Sequence, residues 1–119
     1  MKLIKLNRRV EADDVLVLEL RVEKLTTSNA QAFLQAVKAL ILHQRKVVLD
    51  LAGVQFIDSL GLSALLICVQ YLNDMQGRLH LCELSHTVSK LLRLMRLEHT
   101  FQIHDTCADA IQGFGVLQS

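Results

Sequence analysis

Apolar and polar positions along this chain change their spacing several times, and each change marks a predicted element. Runs of strand length, either alternating or continuously apolar, are predicted as strands. They lie at Lys2 to Val10, Val15 to Val22, Val47 to Leu51, Val54 to Ile57, Arg78 to Leu84 and Phe101 to Ile103. The acidic segment Glu11 to Asp14 is a short turn between the first two strands, which must therefore be antiparallel neighbours.

Between the strands, apolar residues recur three and four positions apart, as on one face of a helix. The first helix is predicted to start at a capping box of Ser28 and Gln31 and to end in the cations of His43 to Lys46. The second has Gly77 as its expected C-cap, the third is capped by Ser85 or Thr87, and the fourth by Thr106. The first helix is predicted to bury Ala30, Phe33, Leu34, Val37, Leu40 and Ile41. The apolar positions that share the sheet-facing side of the second helix are Leu62, Leu65, Leu66, Val69 and Leu72. The third helix includes Val88, Leu91, Leu92, Leu94 and Met95, and the fourth includes Ala108, Ala110, Ile111 and Phe114.

Strands separated by helices require right-handed parallel crossovers. The pattern therefore predicts an α/β fold with a mixed, mostly parallel β-sheet of about five strands and about four packed helices. At 119 residues, the chain has the length of one domain, and residues 1–119 are interpreted as such.

Composition narrows the function classes. The net charge of +1 comes without a basic stripe, so nucleic acid is not an expected partner. The longest apolar run, Ala64 to Val69, is far shorter than the roughly 20 residues that cross a bilayer, and Met1 to Lys5 does not resemble a signal peptide. A cytoplasmic protein without direct membrane insertion is expected. Its three cysteines, Cys68, Cys82 and Cys107, are odd in number and widely spaced, as in reducing compartments.

Residues that could bind a metal or act in catalysis do not form a recognisable sequence motif. His80 and Cys82 would share a strand face near His86, but no CxxC or HxxxH spacing accompanies them, so no metal site is expected. The chain has no GxSxG elbow and no glycine-rich phosphate loop. We therefore expect no cofactor, no catalytic residue and no enzyme, and a small serine hydrolase is kept as a weak alternative.

The junction of Asp58, Ser59, Leu60 and Gly61 is the most specific feature of the sequence. It lies where a strand is followed by a helix, so either Asp58 or Ser59 is suited to cap that helix. Gly61 permits close approach of another backbone segment. A hydroxyl beside a carboxylate at a helix N-terminus suggests a functional site in addition to a cap.

The second helix also has apolar residues opposite its sheet-facing side, namely Ala64, Ile67 and Tyr71. A helix on a sheet normally presents a polar outer face to solvent. These residues therefore either pack beneath a neighbouring helix or form a surface for a partner. The second interpretation is preferred because they continue from Ser59 along the accessible side.

The segments Val48 to Leu51 and Phe56 to Leu62 resemble the STAS domain, the family of bacterial anti-sigma factor antagonists and their relatives. The resemblance continues through Val88, Leu91-Leu92, Leu97, Phe101 to Ile103 and Ala110. It implies an anti-sigma factor antagonist that sequesters a serine-kinase anti-sigma factor and is switched off by phosphorylation of Ser59, with a phosphatase resetting it. The implied partner-binding residues are Asp58, Ser59, Leu60, Gly61, Ser63, Ala64, Ile67 and Tyr71.

The loop after the second strand departs from the family pattern. That loop usually has a glycine and an aspartate, whereas here it reads Arg21 to Leu25 without either. The contacts that this loop makes with partners in other family members are therefore not assigned to residues 21–25 of this chain. The same fold also occurs as a subunit of larger assemblies, such as a lipid-transport ATPase or a stress-signalling complex, and that alternative and the oligomeric state stay open.

Overall fold

A mixed β-sheet forms the centre of the fold in the computed structural model, which describes residues 4–115. The strands are β1 (Leu6–Glu11), β2 (Val15–Leu20), β3 (Lys24–Leu25), β4 (Lys46–Asp50), β5 (Phe56–Ile57), β6 (Arg78–Cys82) and β7 (Gln102–His104). Five of these form one sheet in the order β1-β2-β4-β6-β7, and β3 pairs with β5. Only the β1–β2 pair is antiparallel among the described strands. The predicted mixed, mostly parallel sheet is confirmed, with β1 at its edge.

Four α-helices connect or flank the strands in the described part of the chain, and a short 3-10 helix (Ala12–Asp14) joins β1 to β2. The α-helices are α1 (Ala30–Ile41), α2 (Ser59–Asp74), α3 (His86–Leu94) and α4 (Cys107–Gln112). Ser85 caps α3 by accepting a hydrogen bond from the Val88 N–H at 3.2 Å, and Thr106 caps α4 by accepting one from the Asp109 N–H at 3.0 Å. The predictions for these two caps are confirmed.

Both predicted ends of α1 are wrong. Its N-cap is Asn29, which makes no side-chain cap bond; the Asn29 carboxamide oxygen instead accepts from the Thr26 N–H at 2.9 Å. The Ser28–Gln31 capping box is therefore not formed. The helix ends at Ile41 because Leu42 has a φ of 50°, outside the helical region. The cations from His43 onward follow the helix and do not belong to its last turn.

The C-terminus of α2 also differs from the prediction. Met75 is the C-cap, and Gln76, with a φ of 63°, takes the left-handed position often occupied by glycine. The Gly77 N–H donates to the Leu72 carbonyl at 2.7 Å. A Cβ on Gly77 would lie 2.7 Å from the Arg45 carbonyl oxygen, so close packing against another segment, not backbone conformation, favours glycine here.

Side chains of the central strands alternate between two apolar layers. On β2, Leu16, Leu18 and Leu20 join the large core beneath α1, α2 and α3, while Val15 and Val17 join a smaller layer with Ala110 of α4. Burial on both faces explains the continuous apolar run of this strand. At the end of α3, Leu94 and its C-cap Met95 are exposed, although the sequence places both among the apolar residues of this helix.

His80 is the buried histidine of the smaller layer. Only 3% of its surface is exposed, its Nδ1 lies 3.0 Å from the Ala110 carbonyl oxygen, and its ring stacks on Phe114 with centroids 3.7 Å apart. Burial lowers the pKa of His80 because the desolvated ring resists protonation.

We expect acid to destabilise the protein through His80. As pH falls from about 6.5, the usual histidine value, toward the lower folded-state pKa, the unfolded chain binds a proton that the folded chain does not. The free energy of unfolding therefore falls with pH in this window. Urea denaturation between pH 7.5 and 5 measures the slope, and His80→Gln should reduce it, whereas His99→Gln, at an exposed position, should not. An unchanged slope in His80→Gln would contradict this explanation.

Candidate functional site

The junction between β5 and α2 is held by the carboxylate of Asp58. One oxygen, Oδ1, accepts from the Gly61 N–H at 2.8 Å, which makes Asp58 the N-cap of α2. The other, Oδ2, accepts from the Thr27 N–H at 2.9 Å and from the Thr27 hydroxyl at 3.0 Å. The bond from the Gly61 N–H, followed by that from the Thr27 N–H, lowers the pKa of Asp58. Asp58 therefore stays ionised and ties the start of α2 to the segment before α1.

Ser59 is the first residue of α2 and does not cap it. Of the two capping candidates, Asp58 takes that position, which leaves the Ser59 hydroxyl free of structural work. Ser59 is exposed, and within residues 4–115 its hydroxyl has no hydrogen-bond partner. The arrangement presents an unengaged hydroxyl to solvent, directly beside a fixed carboxylate.

Gly61 is buried where the start of α2 meets β3. A Cβ at this position would lie 2.1 Å from the Leu25 carbonyl oxygen, while that same oxygen accepts from the Asp58 N–H at 3.2 Å. The Arg21–Leu25 loop, where the chain departs from the family pattern, therefore ends against the helix start. Gly61 serves this close approach and, being buried, is not available for direct contact with a partner in this conformation.

The outer face of α2 divides into buried and exposed positions. Ala64 is only 1% exposed and belongs to the core, so it packs on the side of α1 and offers almost no surface of its own to a partner. Tyr71 is half-buried, with the Lys38 Nζ 5.3 Å from its ring centroid, which places it against α1. Ile67, at 44% exposed, is the one of the three that faces solvent.

A shallow groove runs between α1 and the first half of α2. The volume of this groove is ≈ 230 Å³. The groove is lined by Thr27, Ala30, Gln31, Leu34, Leu60, Ser63, Ala64 and Ile67. Its rim includes Leu60, which is 49% exposed, so apolar surface continues directly from Ser59 along α2.

Phe56 is an exposed apolar residue beside the junction. The sequence places it in an extended segment without indicating which side it faces, and in the structure it is 49% exposed while Ile57 is buried. Alternation along β5 is the signal that separates the two. Phe56 lies three residues before Ser59 and adds to the exposed apolar residues of this part of the chain.

The residues considered for zinc are not brought together. The His80 Nδ1 faces the Ala110 carbonyl oxygen, and His86 is exposed at the start of α3. Cys82 instead lies beside Asp50 and Cys107.

None of the helices within residues 4–115 is both long and apolar enough to cross a membrane.

The STAS domain family model matches residues 8–110 of the chain, a range that includes most of the sheet, the Asp58–Ser59 junction and α4 up to Ala110. The chain belongs to the STAS domain family. The junction described above therefore lies within the part of the chain that carries the STAS domain match.

Individual relatives of this STAS domain agree with the assignment. BtrV of Bordetella bronchiseptica, provisionally named as an anti-sigma factor antagonist, is 32% identical over 71 residues, a match that spans 60% of this chain and 61% of that protein. A Thermotoga maritima structure, provisionally described in the same way, has a TM-score of 0.79 at 25% identity and covers 91% of this chain and 92% of that one. The Bacillus cell fate determinant SpoIIAA in its phosphorylated form shares the fold, with a TM-score of 0.67 at 18% identity, covering 92% and 99% of the two chains.

Proposed function

We propose that this STAS domain is an anti-sigma factor antagonist that acts as a phosphorylation-controlled binding protein. In its unmodified form it binds a serine-kinase anti-sigma factor and thereby releases a sigma factor. The kinase uses ATP to phosphorylate Ser59, which ends the complex, and a phosphatase restores the free hydroxyl. The observation that carries the proposal is the exposed, unbonded Ser59 hydroxyl beside the fixed Asp58 carboxylate.

The fold is suited to tolerate a phosphate at this position. A phosphoserine at the first residue of α2 lies near free backbone N–H groups and the positive end of the helix dipole. It adds about −1.5 to −2 charges at neutral pH. Since Asp58 is already ionised and held by Gly61 and Thr27, the added charge falls beside a carboxylate that cannot turn away. The added negative charge therefore acts mainly on a protein docked on this surface.

The partner surface is defined here as the half-buried N-cap Asp58 together with four exposed residues at the start of α2, namely Ser59, Leu60, Ser63 and Ile67. It combines a charged end with the apolar rim of the groove. Gly61 and Ala64 support it from inside the fold, and Tyr71 lies at its far end against α1. Such a surface offers a partner both apolar contact at its centre and a charge that fixes orientation.

Ile67→Asp should weaken partner binding at least tenfold and leave the fold intact. The isoleucine is exposed, so its replacement removes little packing inside the domain, whereas it places a charge in the middle of the apolar contact. Titration calorimetry against the purified partner, with a melting curve of each variant, checks this prediction.

Leu94→Asp is the matched control, because Leu94 is 72% exposed on α3 and lies outside the partner surface. It should bind like the wild type. Unfolding of Ile67→Asp would show that Ile67 is part of the core, and equal binding by both variants would place the interface elsewhere.

An enzymatic role for Ser59 finds no support in the site. A nucleophilic serine needs a base within hydrogen-bond reach, and within residues 4–115 the Ser59 hydroxyl contacts none. We therefore propose a binding protein, in keeping with the names of its relatives.

Identification of the partner tests the function. A pull-down from the source cell with wild-type protein, followed by mass spectrometry, should recover an ATP-binding protein with a histidine-kinase-like domain. Incubation of that partner with ATP and this protein should then phosphorylate Ser59. Recovery of a transporter ATPase, or of a large stress-signalling complex without kinase activity on Ser59, would contradict the proposal and favour a constitutive docking role.

A further inference from the structure

Three potential metal ligands converge at the carboxyl ends of the central strands β4 and β6. Asp50, Cys82 and Cys107 each offer one ligand atom, and these atoms all lie within 4.8 Å of one another. Asp50 and Cys82 end the neighbouring strands β4 and β6, where they are paired in register. Cys107 is the first residue of α4. Parallel strands bring the first two together, and the return of the chain after β7 adds the third.

Their spacing is close to that of a metal centre. In a tetrahedral site with Zn–S of about 2.3 Å and Zn–O of about 2.1 Å, ligand atoms lie roughly 3.6 to 3.8 Å apart. The observed atoms need to close by about 1 Å at most to reach these separations. A disulfide would require the two sulfurs to approach to about 2.05 Å, which is a larger movement.

The surroundings hold the ligands in place. The Asp50 Oδ1 accepts from the Ala52 N–H at 2.9 Å, and within residues 4–115 Oδ2 makes no hydrogen bond. Glu83 accepts from the backbone N–H of Cys107 at 2.9 Å, and the Arg9 Nη2 donates to the Cys107 Sγ at 3.3 Å. Outer hydrogen bonds of this kind orient metal ligands.

Burial and charge also favour a cation. Cys82 and Asp50 are buried, whereas Cys107 is half-buried and leaves an entry path. Two thiolates and a carboxylate carry three negative charges, which favour a divalent cation. The Arg9 guanidinium adds positive charge near Cys107, although it is also paired with Glu11.

We propose that Asp50, Cys82 and Cys107 bind a thiophilic divalent transition metal, represented by Zn²⁺, with a fourth position open to water or a small ligand. This departs from the expectation of no metal site, because ligands drawn from two strands and a helix show no paired spacing in the sequence. The site also adjoins the segment leading to Ser59, since the Leu51 N–H donates to the Cys82 carbonyl at 3.0 Å.

Zinc titration of the full-length, fully reduced protein tests this proposal. The metal is first removed with a chelator, and Zn²⁺ is then added in competition with a chromophoric chelator. We expect one equivalent bound, and Co²⁺ should give the near-ultraviolet absorption of thiolate coordination. Cys107→Ser and Asp50→Asn should each weaken binding tenfold or more, and Zn²⁺ should raise the melting temperature of the wild type but not of Cys107→Ser.

Cys68→Ser is the matched control, because Cys68 is a buried cysteine of α2 in the other apolar layer. It should bind zinc as the wild type does. Cys107 is half-buried, so its serine variant is expected to fold even if a Cys82 variant does not. Absence of binding at micromolar zinc, or equal binding by the wild type and Cys107→Ser, would overturn the proposal.

Discussion

Ser59→Asp is expected to weaken binding to the anti-sigma factor partner at least tenfold, while Ser59→Ala binds like the wild type and cannot be phosphorylated. The aspartate places a second carboxylate beside Asp58, on the surface that the partner is proposed to cover. Like charges brought together at an interface are costly. Aspartate carries less charge than phosphate, so a partial effect is consistent with the switch.

Neither variant should lose the fold. Ser59 is the first helical residue and Asp58 is the cap, so alanine removes no capping bond and has a good helix propensity. Aspartate in a first turn is favoured by the helix dipole. Titration calorimetry against the isolated partner and melting curves of all variants measure the two effects separately.

Thr87→Asp is the control for a charge added in the first turn of a helix, since Thr87 is exposed near the start of α3. It should leave binding unchanged. If Ser59→Asp binds as tightly as the wild type, and phosphate is found on another residue after incubation with the kinase, the switch does not lie at Ser59.

Gly61→Ala should cause the largest loss of stability among single-residue changes at this site. Its Cβ would lie 2.1 Å from the carbonyl oxygen of Leu25 and 3.0 Å from a methyl carbon of Ile57. Backbone cannot turn aside as a flexible side chain does, so α2 or the Arg21–Leu25 loop must shift. Overpacking of this kind typically costs about 1–3 kcal/mol, occasionally more, and exceeds the gain of about 1 kcal/mol expected for alanine in a helix.

Gly53→Ala is the matched control for Gly61→Ala. The nearest atom to a Cβ on Gly53, among those of the described residues, is the Leu20 carbonyl oxygen at 3.7 Å, an ordinary contact. Urea denaturation should show a large drop in the free energy of unfolding for Gly61→Ala and almost none for Gly53→Ala. Equal stability of the two variants would show that the Leu25 carbonyl moves at little cost.

Much of the fold could be predicted from local pattern. The continuous run of β2, the spacing of apolar residues on α2 and the short turn after β1 specify strands, helices and one antiparallel pair. The caps at Ser85 and Thr106 are also local, since each side chain bonds an N–H three residues away. Such contacts lie within one turn of the chain, so sequence spacing is sufficient to predict them.

The positions of Ala64, Ile67 and Tyr71 show where local pattern stops being informative. All three lie off the sheet-facing stripe of α2, and their apolar character alone does not separate them. Packing of α1 against α2 buries Ala64 and half-buries Tyr71, while Ile67 stays exposed. The choice depends on a neighbouring helix whose position is not encoded within α2.

Element order, the mostly parallel sheet and the Asp58–Ser59 junction can be predicted from the sequence, because each follows from residues close together in the chain. The bond from the Thr27 N–H to Asp58, the contact of Gly61 with Leu25 and the meeting of Asp50, Cys82 and Cys107 depend instead on the tertiary structure. These contacts join residues far apart in the chain. They form only once the strands have paired and the helices have packed, so no spacing of residues in the sequence predicts them.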